Sequence, residues 1–576
     1  MMRLGPLGIG MAMVISLGCQ PLDPHEGTPL PLHPPIQAPS GPTGSHAMVV
    51  TAHPEASRIG LSVLKSGGNA VDAAVAVQFA LAVCFPYAGN IGGGGFLLCR
   101  MAGGETAALD FRETAPGLAH RDLYLDPAGE VVLGLSSAGI LSAGVPGSVD
   151  GMVQAHARYG SLPWPELIDP AIQLARGGYP LTQHDADWLN KTKADFLRYN
   201  PNGGHYLVHP TAWQAGDSVR QPDLAQTLTR IRDQGRAGFY AGETAALLLA
   251  EMTHAGGIMR QEDLDAYKAV WRKPLMGRFR GDEVYTMPPP SSGGMVLLQA
   301  LQMVERYPMQ DWGPDDARSI HVVVEALRRA FADRATHLGD PEFWKVPGGL
   351  LDSAYLARRM ADYDPAHATP SSAVQAGRPA GIESNETTHF SIIDADGNAV
   401  SVTTTVNGPF GSRVWVDGAG FLLNNEMDDF SSKPGAANIY GLTGNAANAI
   451  APGKRMLSSM TPTIVVRDGK VLLVIGTPGG STIPVSVLQC LLRVCVHGSN
   501  IDQAVRHPRF HHQWLPDEIA VEDGVFPTAT WEALRKMGHQ VCLREPIGRV
   551  DAVLRHADGR LEGGADPRRD DQAAGW

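Results

Sequence analysis

The segment ESNETTHFSIID, Glu383 to Asp394, sets two threonines side by side between a polar stretch and a run of strand-forming residues. A threonine hydroxyl is a weak nucleophile at neutral pH. A threonine at a chain's amino terminus differs, because its own α-amine, with an ordinary pKa of roughly 8, can take the hydroxyl proton. Residues 371–385, SSAVQAGRPAGIESN, are polar and short of bulky apolar side chains, as in an exposed, cleavable segment. A cut before Thr387 would put nucleophile and base on one residue, and the chemistry this permits is covalent acyl transfer.

A second hydroxyl follows from the pattern downstream. HFSIID and AVSVTTTV are rich in β-formers and flank the turn sequence DADGN, so they read as a hairpin. If the hairpin turns about Asp396, residues equidistant from it face each other, which sets Thr387 opposite Thr405. A threonine pair beside a strand is, on its own, more often an expression of β propensity than of catalysis. Other sources of chemistry are poorer. His511 and His512 are neighbours on an expected strand and point to opposite faces, and no HExxH accompanies them, so they read as core packing with no metal. GNIGGGGFLL, Gly89 to Leu98, lacks both the Lys-Ser/Thr of a phosphate loop and the dinucleotide-binding glycine spacing, and reads as a close-packed turn entering a strand. No GxSxG elbow is present, and no cofactor is expected.

The elements that must position these residues are legible in outline. An Ala/Val/Leu-rich helix starts near Asn69 and has the composition of a buried one; LAQTLTRIRDQ is helical, and MPPPSSGG is a rigid loop ahead of a helix beginning near Met295. TPTIVVRDGKVLLVIGTPGG repeats the hairpin design, making the C-terminal part sheet-rich. With 576 residues, 44% apolar and 18% charged, the chain can bury a large core. A net charge of -12 without a long basic run excludes nucleic acid as a partner. Six cysteines without a CxxC pair read as core residues.

Arg3 followed by the apolar Leu4–Leu17 suits an export signal over residues 1–18 and is short for a membrane span. A cut after Gly18 in SLGCQP fits ordinary signal cleavage or lipoprotein processing with Cys19 as the lipidated residue and point of membrane contact. Ser16 stands where the bacterial lipobox usually has a branched aliphatic residue. Either route exports the protein, to the periplasm or to a lipid anchor. Residues 19–44 are Pro-rich and read as an extended tether.

TTHFSIIDADGNAVSVTTTVN, FLLNNEMDDF, RMLSSMTPTIVV and GTPGGS occur in the order seen in γ-glutamyltranspeptidases, and the N-terminal half adds GGNAVDAAVA, GNIGGGGF, LDFRETAP, GVPGSVDG, MPPPSSGG and LGDPEF. The chain therefore resembles that family over nearly its whole length. The resemblance implies an α+β, four-layer αββα N-terminal-nucleophile hydrolase. It would be made as a proenzyme that cuts itself at Glu386-Thr387 into a large subunit, 45–386, and a small subunit, 387–576, forming one intertwined catalytic unit. The implied reaction is attack of Thr387 on a γ-glutamyl amide such as glutathione, followed by transfer to water or to an amino-acid or dipeptide acceptor.

By the same resemblance Thr405 hydrogen-bonds the nucleophile, and Gly479 and Gly480 supply oxyanion donors. Arg112, with Ser458 and Ser459, takes the substrate α-carboxylate; Asn407, Glu426 and Asp429 take its α-ammonium; Tyr440 belongs to a lid. Two residues depart from the family pattern: Arg413, where a small residue is common, and Met456, where proline is common. Two other readings compete, a cephalosporin (glutaryl) acylase on the same fold and a lipid-anchored, non-catalytic binding protein.

Overall fold

The computed structural model describes residues 33–201, 206–375, 388–433, 446–522 and 526–576. Cys19, Glu386, Thr387 and Tyr440 lie outside the described residues. Two seven-stranded, wholly antiparallel sheets form the centre. One runs, in spatial order, Gln572–Gly575, Met48–Thr51, Thr388–Ile393, Ala399–Thr405, Gly94–Arg100, Thr106–Asp110 and Val270–Arg272. The other runs Thr43–Gly44, Leu561–Gly564, Asp551–Arg555, Lys470–Gly476, Thr463–Arg467, Asp282–Thr286 and Leu275–Phe279. Both sheets mix strands that precede Thr387 in sequence with strands that follow it.

Alternation along a strand gives each sheet two apolar faces. In Thr388–Ile393, Phe390 and Ile392 pack into the helical layer built on Pro54–Lys65 and Ala70–Cys84, whereas Ile393 joins Met48, Val50, Phe96 and Leu98 against Ile464, Val474 and Val553 of the second sheet. The far face of that sheet packs on helices Gly293–Val304, Ala317–His337 and Thr482–Cys495. Helices, sheet, sheet, helices is the four-layer αββα arrangement the resemblance implied. Complete burial of a side chain such as Phe96 contributes about 1.5–3 kcal/mol.

Local chemistry fixes the elements that reach the site. Asn69 caps the helix Ala70–Cys84, accepting from the amides of Val71 and Asp72, while Asp72 accepts from the Asn69 amide. Asp394, in the turn of the Thr388 hairpin, accepts from the Ala70 amide at 2.8 Å and so ties hairpin to helix. The glycine run before Gly94 lets two chains touch: a Cβ on Gly93 would sit 2.0 Å from the Thr405 carbonyl. The Pro-rich stretch is not all spacer. Gln37 and Ala38 hydrogen-bond to Gly498 and Asn500, the amides of Ser40 and Gly41 donate to Glu562, and Thr43–Gly44 joins a sheet, because backbone groups docked against the body find partners there. No helix among the described residues is long and apolar enough to cross a membrane.

Candidate active site

The antiparallel registers bring the ends of several strands to one place. Thr388 pairs with Thr404, Thr405 with Gly94, and Phe96 with Asp110, so the residues just beyond these points gather at one end of the first sheet. In the second sheet Gly476 pairs with Asp551 and Thr463 with Thr286, which gathers Gly479, Arg549 and the serines before Thr463 at an end of their own. The two ends meet: the His389 ring covers Gly476, where an added Cβ would be 2.3 Å from it. His389 lies fully buried between Thr403 Oγ1 and Ser391 Oγ, and desolvation drives its pKa down to about 3, so it bridges the sheets as a neutral ring.

Arg112 follows the strand Thr106–Asp110 and is buried with its charge matched from the opposite wall. Its Nη1 is 2.6 Å from Glu426 Oε2 and its Nη2 is 2.5 Å from Asp429 Oδ2, with Glu113 at 3.6 Å. The resemblance implies that Arg112 and the two acids hold opposite ends of a zwitterion; in the structure they face one another directly. Three carboxylates surround one guanidinium, and burial raises them all, Glu113 to about 8 and Glu426 well above its ordinary value.

The acids occupy a 3-10 turn, Glu426–Asp429, held by paired asparagines. Asn424 donates to the carbonyls of Gly92 and Gly144 and accepts from the Glu426 amide; Asn425 accepts from the Gly408 amide and donates to the Ser137 carbonyl. Asn407, at φ 73°, donates its side-chain amide to the Asn425 carbonyl and its backbone N–H to Thr405 Oγ1 at 2.7 Å. That bond occupies a lone pair of the Thr405 hydroxyl and directs its hydrogen elsewhere.

Arg112 also donates to the carbonyls of Met456 and Leu457, which sets the following serines beside it. The Ser458 carbonyl accepts from the amide and hydroxyl of Ser292, and Ser459 Oγ is buried with no hydrogen-bond partner among the described residues. Asn448 links the walls, donating to the Asp429 carbonyl and accepting from the Leu457 amide. Thr405, Asn407, Glu426, Asp429, Arg112 and Ser458 are thus linked through short contacts and neighbouring chain. Gly479 and Gly480 stand between the strand Lys470–Gly476 and the helix Thr482–Cys495, at φ 132° and 56°, where glycine avoids the strain of a Cβ. Donors at such a helix start favour negative charge.

Comparison with known proteins decides the lineage. The γ-glutamyltranspeptidase family model matches residues 56–576. The chain belongs to the γ-glutamyltranspeptidase family. It is 45% identical over 532 residues to a glutathione hydrolase proenzyme of Escherichia coli, covering 92% of each chain, and 48% identical over 521 residues to one of Pseudomonas aeruginosa, covering 89% of this chain and 91% of that one. Among solved structures it resembles a cephalosporin acylase from Bacillus halodurans, with a TM-score of 0.80, 28% identity and coverage of 97% of this chain and 99% of that one. The fold is that of the N-terminal-nucleophile hydrolases.

The two departures from the γ-glutamyltranspeptidase pattern fall in different places. Arg413 lies 3.3 Å from Asp195 and accepts from the Asn200 side chain at its carbonyl, whereas Met456 is buried among Tyr124, Met427 and Phe430 behind the Arg112 cluster. His511 and His512 are both buried and bonded locally, to Gln513 and to the Glu518 carbonyl. His321, Glu325 and His539 form a tighter group that the sequence did not reveal, but Glu325 is already matched by Arg328 and Arg329, an arrangement that disfavours a cation. Also unforeseen was Arg549, which reaches Thr388 Oγ1 at 3.5 Å while pairing with Asp571 at 3.0 Å. Its position in the loop EPIGRV, between two strands, left no periodic signal to find it by.

Proposed function

We propose that Thr387 is both the residue before which this proenzyme cuts itself and the nucleophile of the mature enzyme. Family membership makes the chain a self-processing γ-glutamyltranspeptidase and glutathione hydrolase. Thr388 pairs with Thr404, and a Thr387 that followed the same register would face Thr405, as the hairpin pattern of the sequence suggests. The Thr405 hydroxyl, fixed by the Asn407 amide, orients the attacking oxygen. The first attack, on the Glu386 carbonyl, gives an ester that water opens, leaving Glu386 with a carboxylate and Thr387 with a free amine. The second attack, on a γ-glutamyl carbonyl, builds negative charge on oxygen that the Gly479 and Gly480 amides stabilise. The amine takes the hydroxyl proton and returns it to the leaving amine. Water or an amino-acid or dipeptide acceptor then opens the γ-glutamyl ester.

The observation that carries the substrate assignment is the buried group of Glu426 and Asp429 on Arg112. A zwitterionic γ-glutamyl end substitutes for contacts the cluster already makes: its α-carboxylate takes the guanidinium, aided by Ser458 and Ser459, and its α-ammonium takes the acids and Asn407. A glutaryl group has no ammonium and would leave the two acids buried beside a new carboxylate, which argues against an acylase specificity despite the shared fold. Sheets that interleave strands from both sides of Thr387 support a large and a small chain remaining one body after the cut. The signal-like first 18 residues support export, with Cys19 as lipid anchor. Turnover of a γ-glutamyl anilide against the matching glutaryl anilide tests the assignment: the γ-glutamyl compound is expected to win by at least about tenfold, and a clear preference for glutaryl would reject it.

A further inference from the structure

Lys454 is a buried cation to which the reaction above gives no role. Its side chain is 4% exposed, and among the described residues no carboxylate lies within ion-pair distance of it. The acid that acts on it from farther off, Asp340, already accepts from the amides of Glu342 and Arg455. Burial pushes the Lys454 pKa down to about 8, with Asp340 opposing, so the ammonium is still charged at pH 7. Its acceptors are main-chain carbonyls: Nζ donates to Ala447 at 2.8 Å and to Ala449 at 2.9 Å. A charge held inside by carbonyls alone is costly to bury, and what those carbonyls hold explains its place.

The two carbonyls flank Asn448, which ends the 3-10 turn Ala446–Asn448. The Asn448 carbonyl accepts from the Ser431 amide at 2.9 Å, so its main chain is tied on both sides. Its side chain then spans the donor pocket, donating to the Asp429 carbonyl at 2.6 Å and accepting from the Leu457 amide at 2.9 Å. Both of those residues are partners of Arg112, Asp429 through its carboxylate and Leu457 through its carbonyl. We infer that Lys454 is a positioning residue for the γ-glutamyl donor: it clamps the chain on either side of Asn448, whose amide sets the spacing between Asp429 and the segment that leads to Ser458 and Ser459. The inference rests on the γ-glutamyl reading above. Neither Lys454 nor Asn448 bonds Thr405, Asn407 or Gly479 among the described residues, so the clamp acts on donor affinity and not on the attack.

The test measures KM and kcat for a γ-glutamyl anilide at pH 7 with processed wild type, Lys454→Met, Asn448→Ala, the double variant and Lys454→Arg. Lys454→Met, of similar length but without donors, is expected to raise KM about tenfold and to leave kcat within about twofold. The double variant should match the more affected single variant, because the two residues act as one unit. Lys454→Arg keeps the charge and the donors and should hold KM within about threefold of wild type. An unchanged KM in Lys454→Met, a kcat that falls as far as KM rises, or single effects that multiply in the double variant overturns the role. Should Lys454→Met fail to cut itself, the other two variants decide: a raised KM in Asn448→Ala with Lys454→Arg near wild type upholds the clamp, and any other pairing overturns it. A wild type that does not turn over the anilide overturns the γ-glutamyl reading itself, whereas one that does, with variants unaffected, overturns the role of Lys454 alone.

Discussion

Thr388 pairs with Thr404 across the hairpin, and Thr405, the next residue of that strand, pairs with Gly94 on its other side. A single register thus ties Thr388, the second residue after the proposed scissile bond, to the strand that ends in a hydroxyl whose oxygen is fixed by the Asn407 amide. Removing that hydroxyl is expected to affect orientation and not affinity. Thr405→Val should lower kcat by about 10–100-fold, slow self-cleavage, and leave KM for a γ-glutamyl donor nearly unchanged. Single-turnover kinetics and the rate of chain cutting on a denaturing gel measure both; a change confined to KM would contradict the role.

The acids that close on Arg112 predict an affinity effect instead. Asp429→Asn keeps the shape and removes a charge, and should raise KM for a γ-glutamyl donor by about 10–100-fold, the loss expected for a charged hydrogen bond. The variant should discriminate less against a glutaryl donor than the wild type does. Steady-state rates on the paired anilides read this out.

Gly479 carries a backbone prediction. At φ 132°, with an added Cβ only 2.3 Å from Thr482 Oγ1, Gly479→Ala must shift the turn that aims the proposed oxyanion donors. A fall in kcat of about 100–1,000-fold is expected, in the range found when one oxyanion donor is lost, with the cut at Thr387 slowed as well. Normal kcat in the variant would place the donors elsewhere.

Protonation gives a fourth expectation. Burial raises the Glu113 carboxyl to about 8 from an ordinary 4.5, with the neighbouring Arg112 opposing the rise. The folded protein therefore keeps a proton that the unfolded chain releases, so this carboxyl's contribution to stability is full below about 4.5, declines as pH rises and levels off above about 8. Melting temperatures of wild type and Glu113→Gln, compared from pH 5 to 8.5, should show the wild type losing stability relative to the variant as pH rises. A parallel course for the two proteins would contradict the assignment.

The hairpin was legible in the sequence because alternation and the DADGN turn determine its register locally. The burial of NNEMDDF was not. Acidic residues in a turn look solvated, and here the amides of Asn424 and Asn425, bonded to Gly92, Gly144, Gly408 and the Ser137 carbonyl, help carry them inside, together with Arg112 and Asn448. These partners lie far away in sequence, where no spacing rule connects them. The same limit hid the pairing of Arg549 with Asp571 and the docking of Gln37 to Gly44, since both depend on tertiary contacts that composition does not encode.

The central claim is that one oxygen, Thr387 Oγ1, performs both the self-cleavage and the transfer. Intact-mass analysis of purified wild type and Thr387→Ala, with a γ-glutamyl transfer assay on each, tests it most directly. The wild-type small chain is expected to run from Thr387 to Trp576, and the variant to stay uncut and inactive. A small chain with a different first residue, or a Thr387→Ala protein that still cuts itself or still transfers γ-glutamyl groups, would contradict it.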